Sequence, residues 1–218
     1  MVNNGFYYRA ILKFGVLVAS LGYSRASYVY FYDNERSESW LDGIQRACDF
    51  FGGVPKEILF DNAKSIILER DAYGEGNHRW HPKLLDLSKE YGFVLKVCRP
   101  YRPRTKGKVE RFNRYLKENF VTPLAATFRA QSLQLNIASA NGAIGAWLNN
   151  VANERIHVTT LVKPNVRLAE EKQHLLALPI SNHVAEAVLP ADNNRPIPVE
   201  SIQHPLNIYD QFMAGSFV

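Results

Sequence analysis

Cysteine is almost missing from this chain: Cys48 and Cys98 are the only two in 218 residues. That excludes the disulfide framework of a small secreted domain and makes a reducing cytoplasm the expected setting. Long apolar runs are missing too. The best candidate, Phe14 to Leu21, is too short to cross a bilayer, follows Lys13 and lacks a small-residue cleavage pattern, so it reads as a strand. No membrane role is expected, and no repeat of solenoid period is visible. Nor is charge strongly one-sided, with a formal excess of +5 and a pI near 9.2. At 46% hydrophobic residues the chain can bury a proper core and is not globally disordered.

What is present is a concentrated basic stretch. Nine positive residues run from Lys96 to Lys117 and surround one acid, Glu110. Pro100, Tyr101 and Pro103 interleave with the arginines, and a rigid loop with a stacking aromatic suits a nucleic-acid strand. Arg99, Tyr101, Arg102, Arg104, Lys106, Lys108, Arg111 and Arg114 are therefore the candidate DNA contacts. A charge run can equally be a solvated face, and helical periodicity prevents all of these from facing one strand.

Local patterns predict an α/β architecture. Phe6 to Ser20 is rich in aromatic and branched residues, Gly22 to Arg25 makes a turn, and Ala26 to Tyr32 alternates, which predicts a β-hairpin. Trp40, Leu41, Ile44, Ala47, Cys48 and Phe51 recur at helical spacing, with Ser37 or Ser39 as cap and Gly52-Gly53 as terminator. Glu57 to Phe60 predicts a short buried strand that stops at Asp61-Asn62. A helix opened by Pro82, a strand over Phe93 to Val97, and a helix from about Lys108 to Phe120 follow. The last of these has Val109, Phe112, Leu116 and Phe120 as its inner stripe. Leu133 to His157 predicts a long helix with Ile137, Ile144, Trp147, Leu148 and Val151 on one side, weakened by Gly142 and Gly145, and Val166 to Leu176 a shorter one.

Asp61 and Glu110 are the acids with chemical promise. One follows a strand at the sheet edge where ligands bind in open α/β folds, and the other opens a helix that follows a strand. Hard divalent cations take oxygen ligands, and Mg²⁺ is commonly held by one or two carboxylates plus water and substrate phosphates. Each acid also has a plain structural explanation: Asp-Asn is an ordinary turn dipeptide, and the helix dipole favours an acid in a first turn. His78 and His81 stand at metal-ligand spacing, but no second Cys or His pair supports zinc, and His81 reads as a residue near the cap of the helix opened by Pro82. Trp80 reads as a packing residue.

Leu21-Gly22-Tyr23-Ser24-Arg25, Phe50 to Pro55, Leu59-Phe60-Asp61-Asn62, Cys98-Arg99-Pro100, Thr105 to Arg111 and Gln203-His204-Pro205-Leu206 together resemble IstA-type transposases of two-gene bacterial insertion sequences. The resemblance runs over nearly the whole chain. It implies a ribonuclease-H-like fold shared with retroviral integrases, a mixed sheet flanked by helices, and a DDE triad binding Mg²⁺ or Mn²⁺. It also implies DNA partners (transposon ends and target), an IstB-type ATPase and a homo-oligomer in the intact form. By this resemblance Asp61 is the second catalytic aspartate and Glu110 the glutamate, both metal ligands. The first aspartate has no match, since no acid precedes Asp33, which follows the second strand of the hairpin. The aspartate-bearing strand, internal in that fold, is thus expected to be missing, along with the helix-turn-helix region that reads transposon ends. The chain is expected to be a truncated gene, an internal start or an excised fragment, unable to complete a DDE site alone.

The implied organisation is an integrase-like core over residues 1–125, incomplete at its N-terminus, a helical extension over 126–177, and a Pro-rich, extended or disordered tail over 178–218. Leu206, Ile208, Tyr209 and Phe212 could form a docking segment in that tail. A non-catalytic remnant that binds DNA or a partner protein is the alternative to a transposase, and a nuclease of the same fold is a third reading. If four to six of the basic residues contact phosphates, the logarithm of DNA affinity falls with the logarithm of salt concentration at a slope of roughly −3 to −5. Titration of a fluorescent duplex across a salt series checks this, and salt-independent affinity refutes it.

Overall fold

The computed structural model describes residues 5–11, 14–61, 63–98 and 111–179. A mixed five-stranded sheet is formed by β1 (Gly5–Ile11), β2 (Phe14–Ser20), β3 (Ser27–Tyr32), β4 (Glu57–Phe60) and β7 (Val94–Val97) in the order β3-β2-β1-β4-β7. Strands β1, β2 and β3 form an antiparallel meander, whereas β1 with β4 and β4 with β7 are parallel. A small second sheet pairs β5 (Ile67–Glu69) with β6 (Arg79–Trp80).

This arrangement corrects two expectations. The run Phe6 to Ser20 is two strands, which pair from Gly5↔Ser20 to Ile11↔Phe14. A single strand of that length would exceed the usual five or six residues by more than twofold. The two residues between Ile11 and Phe14 are Leu and Lys, not the Gly or Asn that marks a tight hairpin, so the sequence conceals the reversal. The second correction follows from the first. The internal position expected to be vacant, between the hairpin and the strand that ends at Asp61, is occupied by β1. The backbone groups of β2 and β4 are thereby paired, as a buried sheet requires. The strand is there; an acid on it is not, since it reads Gly-Phe-Tyr-Tyr-Arg-Ala-Ile.

Strand β2 is apolar without alternation because both of its faces are covered: Val16, Leu17, Val18 and Ala19 are all buried. Helix α1 (Ser37–Phe51) lays Trp40, Ile44, Ala47, Cys48 and Phe51 into the core. Gly43 permits its close approach, because a β-carbon there would collide with the Leu17 side chain. The helix stops at Gly52 in the left-handed region (φ 73°), whose N–H bonds the carbonyls of Cys48 and Asp49. Neither expected serine caps it. Arg36 is the N-cap, and Asn34 Oδ1 instead accepts from Arg36 N (3.0 Å) and Ser39 Oγ (2.9 Å). Helix α2 (Pro82–Tyr91) starts with proline in its first turn after His81 and ends at Gly92 (φ 75°).

Helix α3 spans 111–130, longer than expected, with Phe112, Leu116 and Phe120 buried as its stripe predicts. It passes through Pro123 by means of a π turn over Lys117–Val121, in which Thr122 N reaches back to Lys117 O. Proline has no N–H for the regular bond and its ring clashes with the carbonyl four residues earlier, so the register slips by one residue before it. Helix α4 (Ile137–Trp147) begins at Asn136, whose Oδ1 accepts from Ser139 N (2.8 Å), and continues as a second π turn over Leu148–Ala152. Its buried line is Ala140, Ile144, Leu148 and Ala152; Val151, expected on that line, is exposed.

Strand β3 is an edge, yet its outer backbone groups are occupied. Asn141 Oδ1 accepts from Phe31 N (2.9 Å) while its Nδ2 donates to Phe31 O (2.9 Å). Asn153 repeats the pattern on Ser27, at 2.9 and 3.0 Å. Two side-chain amides thus stand in for the next strand, which blocks edge-to-edge pairing and fixes α4 to the sheet. Helix α5 (Pro164–Glu171) and a turn of 3-10 helix (Lys172–His174) then lead to Leu176, which exchanges both backbone bonds with Val54 (2.9 and 2.8 Å). Expected for Asn153→Ala is a loss of about 2–3 kcal/mol, because two bonds vanish and two buried backbone groups are left unpaired. Urea unfolding checks it, with a smaller loss expected for Asn141→Ala, which is only half-buried.

Candidate metal and nucleic-acid site

Strand β4 ends in a cage of aromatics that fixes where its following acid stands. Phe60 is fully buried and meets Trp40 (6.0 Å between ring centres) and Trp80 (5.9 Å), each edge-on. Trp80 is thus a core residue, in keeping with its packing role. Asp61 follows at the C-terminal end of β4, half-buried, with Oδ1 shielded from solvent. Beside it the parallel pairing continues past β7, because Cys98 N donates to Phe60 O at 2.9 Å. Arg70 Nη1 reaches Cys98 O at 3.4 Å, which brings a guanidinium to the same edge. No local pattern marks Arg70, which follows β5 in a turn and is brought to this edge by tertiary structure.

The register of β1 shows which of its residues comes level with Asp61. Gly5 is level with Leu59 and Phe6 with Phe60, so one further step brings Tyr7 level with Asp61. Asp33, beyond the far end of β3, takes no part; its carboxylate accepts from Asn34 Nδ2 (2.6 Å). Glu110 lies outside the described residues, as do Arg99, Tyr101, Arg102, Arg104, Lys106 and Lys108. Among the described residues no three His, Cys, Asp or Glu side chains converge as a metal cluster. A single hard carboxylate at a strand end fits a hard cation completed by one more acid, water and phosphate oxygens.

Of the expected DNA contacts, Arg111 and Arg114 are described, and both are exposed on the first turn of α3. On its inner side Asn113 is buried, and its Oδ1 has no hydrogen-bond partner. His81 Nδ1 shares that condition. His78 and His81 do not form a pair of ligands: His81 is the N-cap residue of α2, while His78 Nδ1 accepts from Asp71 N at 3.0 Å.

Residues 5–103 match the integrase core domain family. The catalytic core domain of BIV integrase superposes with a TM-score of 0.55 at 16% identity, over 78% of this chain and 95% of that one. A chain of the simian T-cell lymphotropic virus intasome gives 0.51 at 18% identity, covering 72% of this chain and 52% of its own length. The fold is therefore that of the retroviral integrase core, and residues 5–103 are similar to the integrase core domain in sequence as well. In sequence the chain is similar to transposases of bacterial insertion sequences. It is 36% identical over 172 residues to the transposase assigned to insertion sequence element IS5376 of Geobacillus stearothermophilus, covering 79% of this chain. It is 34% identical over 167 residues to the transposase for IS21 of Pseudomonas aeruginosa, covering 77%. The chain spans 40% of the length of each.

The two thiols make the packing beside Asp61 testable. Cys48 is fully buried on α1, and burial followed by the nearby Asp49 charge pushes its thiol up to about 12, whereas Cys98 is half-buried at the site edge. Thiolate is the reactive form. Ellman titration of the native protein at pH 8 is expected to consume one thiol, lost in Cys98→Ser and retained in Cys48→Ala; denaturant releases both.

Proposed function

We propose that this chain is the catalytic-core portion of a transposase that, in its intact form, cleaves and joins DNA phosphodiesters with a divalent metal. The supporting observation is the position of Asp61: it is the residue immediately after the second parallel strand of an integrase-type sheet, at the edge where β1, β4 and β7 come together. Asp61 and Glu110 would hold Mg²⁺ or Mn²⁺. When bound, the metal supplies Lewis-acid activation of a water or 3′-hydroxyl and stabilises the leaving oxygen. The chain's own contribution is positioning. The aromatic cage around Phe60 sets the direction in which Asp61 leaves the sheet, and the Arg70 bond to the Cys98 carbonyl steadies the entry of the basic loop. Arg99, Arg102, Arg104, Lys106, Lys108, Arg111 and Arg114 neutralise DNA phosphates, and Tyr101 offers a stacking face.

Transposon-end and target DNA, an IstB-type ATPase docking on the tail, a homo-oligomer and a cytoplasmic site of action belong to this same reading. Among the described residues no helix is long and apolar enough to cross a membrane. One observation favours the second reading, a DNA- or partner-binding remnant without catalysis: β1 presents no acid where the first aspartate of the triad is expected.

Manganese binding separates the two readings without an activity assay. Followed by electron paramagnetic resonance, Mn²⁺ binding is expected to be lost in both Asp61→Asn and Glu110→Gln. Tyr7→Asp, which adds a third carboxylate level with Asp61, is expected to tighten it about tenfold, since ligand charge sets affinity over decades. Undiminished Mn²⁺ binding by a folded Asp61→Asn, Glu110→Gln double variant would falsify the metal assignment.

A further inference from the structure

Three arginines that the catalytic reading does not use, Arg25, Arg155 and Arg167, gather with Arg111, which it does. Arg25 stands in the β2–β3 turn in the left-handed region (φ 65°), Arg111 on the first turn of α3, Arg155 after α4, and Arg167 on α5. His157 lies within electrostatic reach of all four, and its basicity is lowered first by burial and then by Arg155, Arg25, Arg111 and Arg167. Arg25 is likewise lowered by burial and then by Arg167, with Glu171 opposing and Arg111 reinforcing.

The cluster is built, not accidental crowding. The Arg155 guanidinium lies 3.5 Å from the centre of the Tyr115 ring, and that of Arg167 lies 3.9 Å from the Tyr23 ring. Stacking consumes the face of a guanidinium but leaves its N–H edge free for a bidentate oxyanion. Asn153 clamps the chain just before Arg155 to Ser27. Glu171, the nearest acid, is already engaged by the backbone N–H groups of Ser24 (2.8 Å) and Tyr23 (3.3 Å), so it shapes the turn more than it neutralises the arginines. Among the described residues no carboxylate forms an ion pair with Arg155 or Arg167. Five cationic or potentially cationic groups outnumber the acids beside them, Glu171 and Glu170, the latter accepting from the Tyr23 hydroxyl at 2.7 Å, and an external anion completes the arrangement.

We propose that Arg25, Arg111, Arg155 and Arg167, gathered around His157, form a phosphate-binding locus that grips the backbone of duplex DNA away from the carboxylate edge. The register supports DNA over an acidic peptide. Ser20 is level with Gly5 and hence with Leu59, so the turn that carries Arg25 lies on the opposite side of that level from Asp61. Four or five strand residues separate the two along the sheet, about 15 Å. This is close to half a turn of B-form duplex, about 17 Å. Arg111, next in sequence to Glu110, joins the basic loop to this second locus. The proposal rests on the transposase reading for the identity of the duplex, but not on the metal.

The test uses the full chain and a fluorescent duplex, with anisotropy read across a salt series in EDTA so that Asp61 and Glu110 bind no cation. The triple variant Arg25→Gln, Arg155→Gln, Arg167→Gln is expected to flatten the salt slope by about 3, and each single variant by about 1. Arg155→Lys and Arg167→Lys keep the charge and should keep the slope, while Lys89→Gln, an exposed residue on α2, should leave binding unchanged. Circular dichroism confirms the fold of each; should the triple variant melt, Arg167→Gln alone serves. An unchanged slope in a folded variant overturns the proposal. So does polyglutamate binding that matches duplex binding and falls in parallel with it, which would mark the cluster as a site for acidic protein. Loss of duplex binding here with Mn²⁺ binding intact, or the reverse, keeps this proposal and the metal assignment separate.

Discussion

The edge of strand β3 is the constraint on which the rest of the molecule depends. A strand at the border of a sheet presents unpaired N–H and C=O groups, and left open it would invite another chain. Here Asn141 and Asn153 each present an amide, donor and acceptor together, to one residue of the strand. This seals the edge and at the same time fixes a helix against it. Phe120 on α3 stacks near Phe31 (6.1 Å) and Trp147 (5.3 Å), so both long helices are registered to the same strand. Helix α5 is in turn held by Glu171 on the β2–β3 turn, and Leu176 is pinned to Val54. The residues after the sheet are therefore part of its enclosure.

Strand β1 separates two demands that a catalytic strand normally meets together. Its backbone supplies pairing to β2 and β4, which any non-proline sequence can do, while a carboxylate ligand at one register position would need one particular side chain. The sheet can therefore keep its order with no acid on its central strand. Structural completeness and chemical completeness are independent here, and only the first can be read from strand order.

Much of the fold was legible because the signals were local. The proline and glycine around α2, the Gly52-Gly53 stop of α1, and the Phe112, Leu116, Phe120 stripe follow from backbone chemistry and helical period. The reversal between Ile11 and Phe14 was not legible, since Leu and Lys carry no turn signature. The place of Asp61 at the end of β4 was legible because a turn-forming acid closes a short apolar run. Arg70, Asn113, Arg155 and Arg167 were not, because each is brought to its place by contacts between elements distant in sequence. Charge clustered along the chain is visible in a sequence, whereas charge clustered by folding is not.

The π turn over Leu148–Ala152 sets the phase between the two sealing amides. Asn141 and Asn153 are 12 residues apart. On a regular α-helix that spacing would place them about 120° out of phase, on different faces. The π turn absorbs one residue, so the effective spacing is about 11, and the two amides come back to within about 20° of each other. The extra residue therefore acts as a vernier between two periodicities that do not match, helical turn and strand rise. In any relative whose helix runs here without a π turn, the same two amides would have to be spaced one residue closer in the sequence, so alignment of the family should place its gap inside this turn.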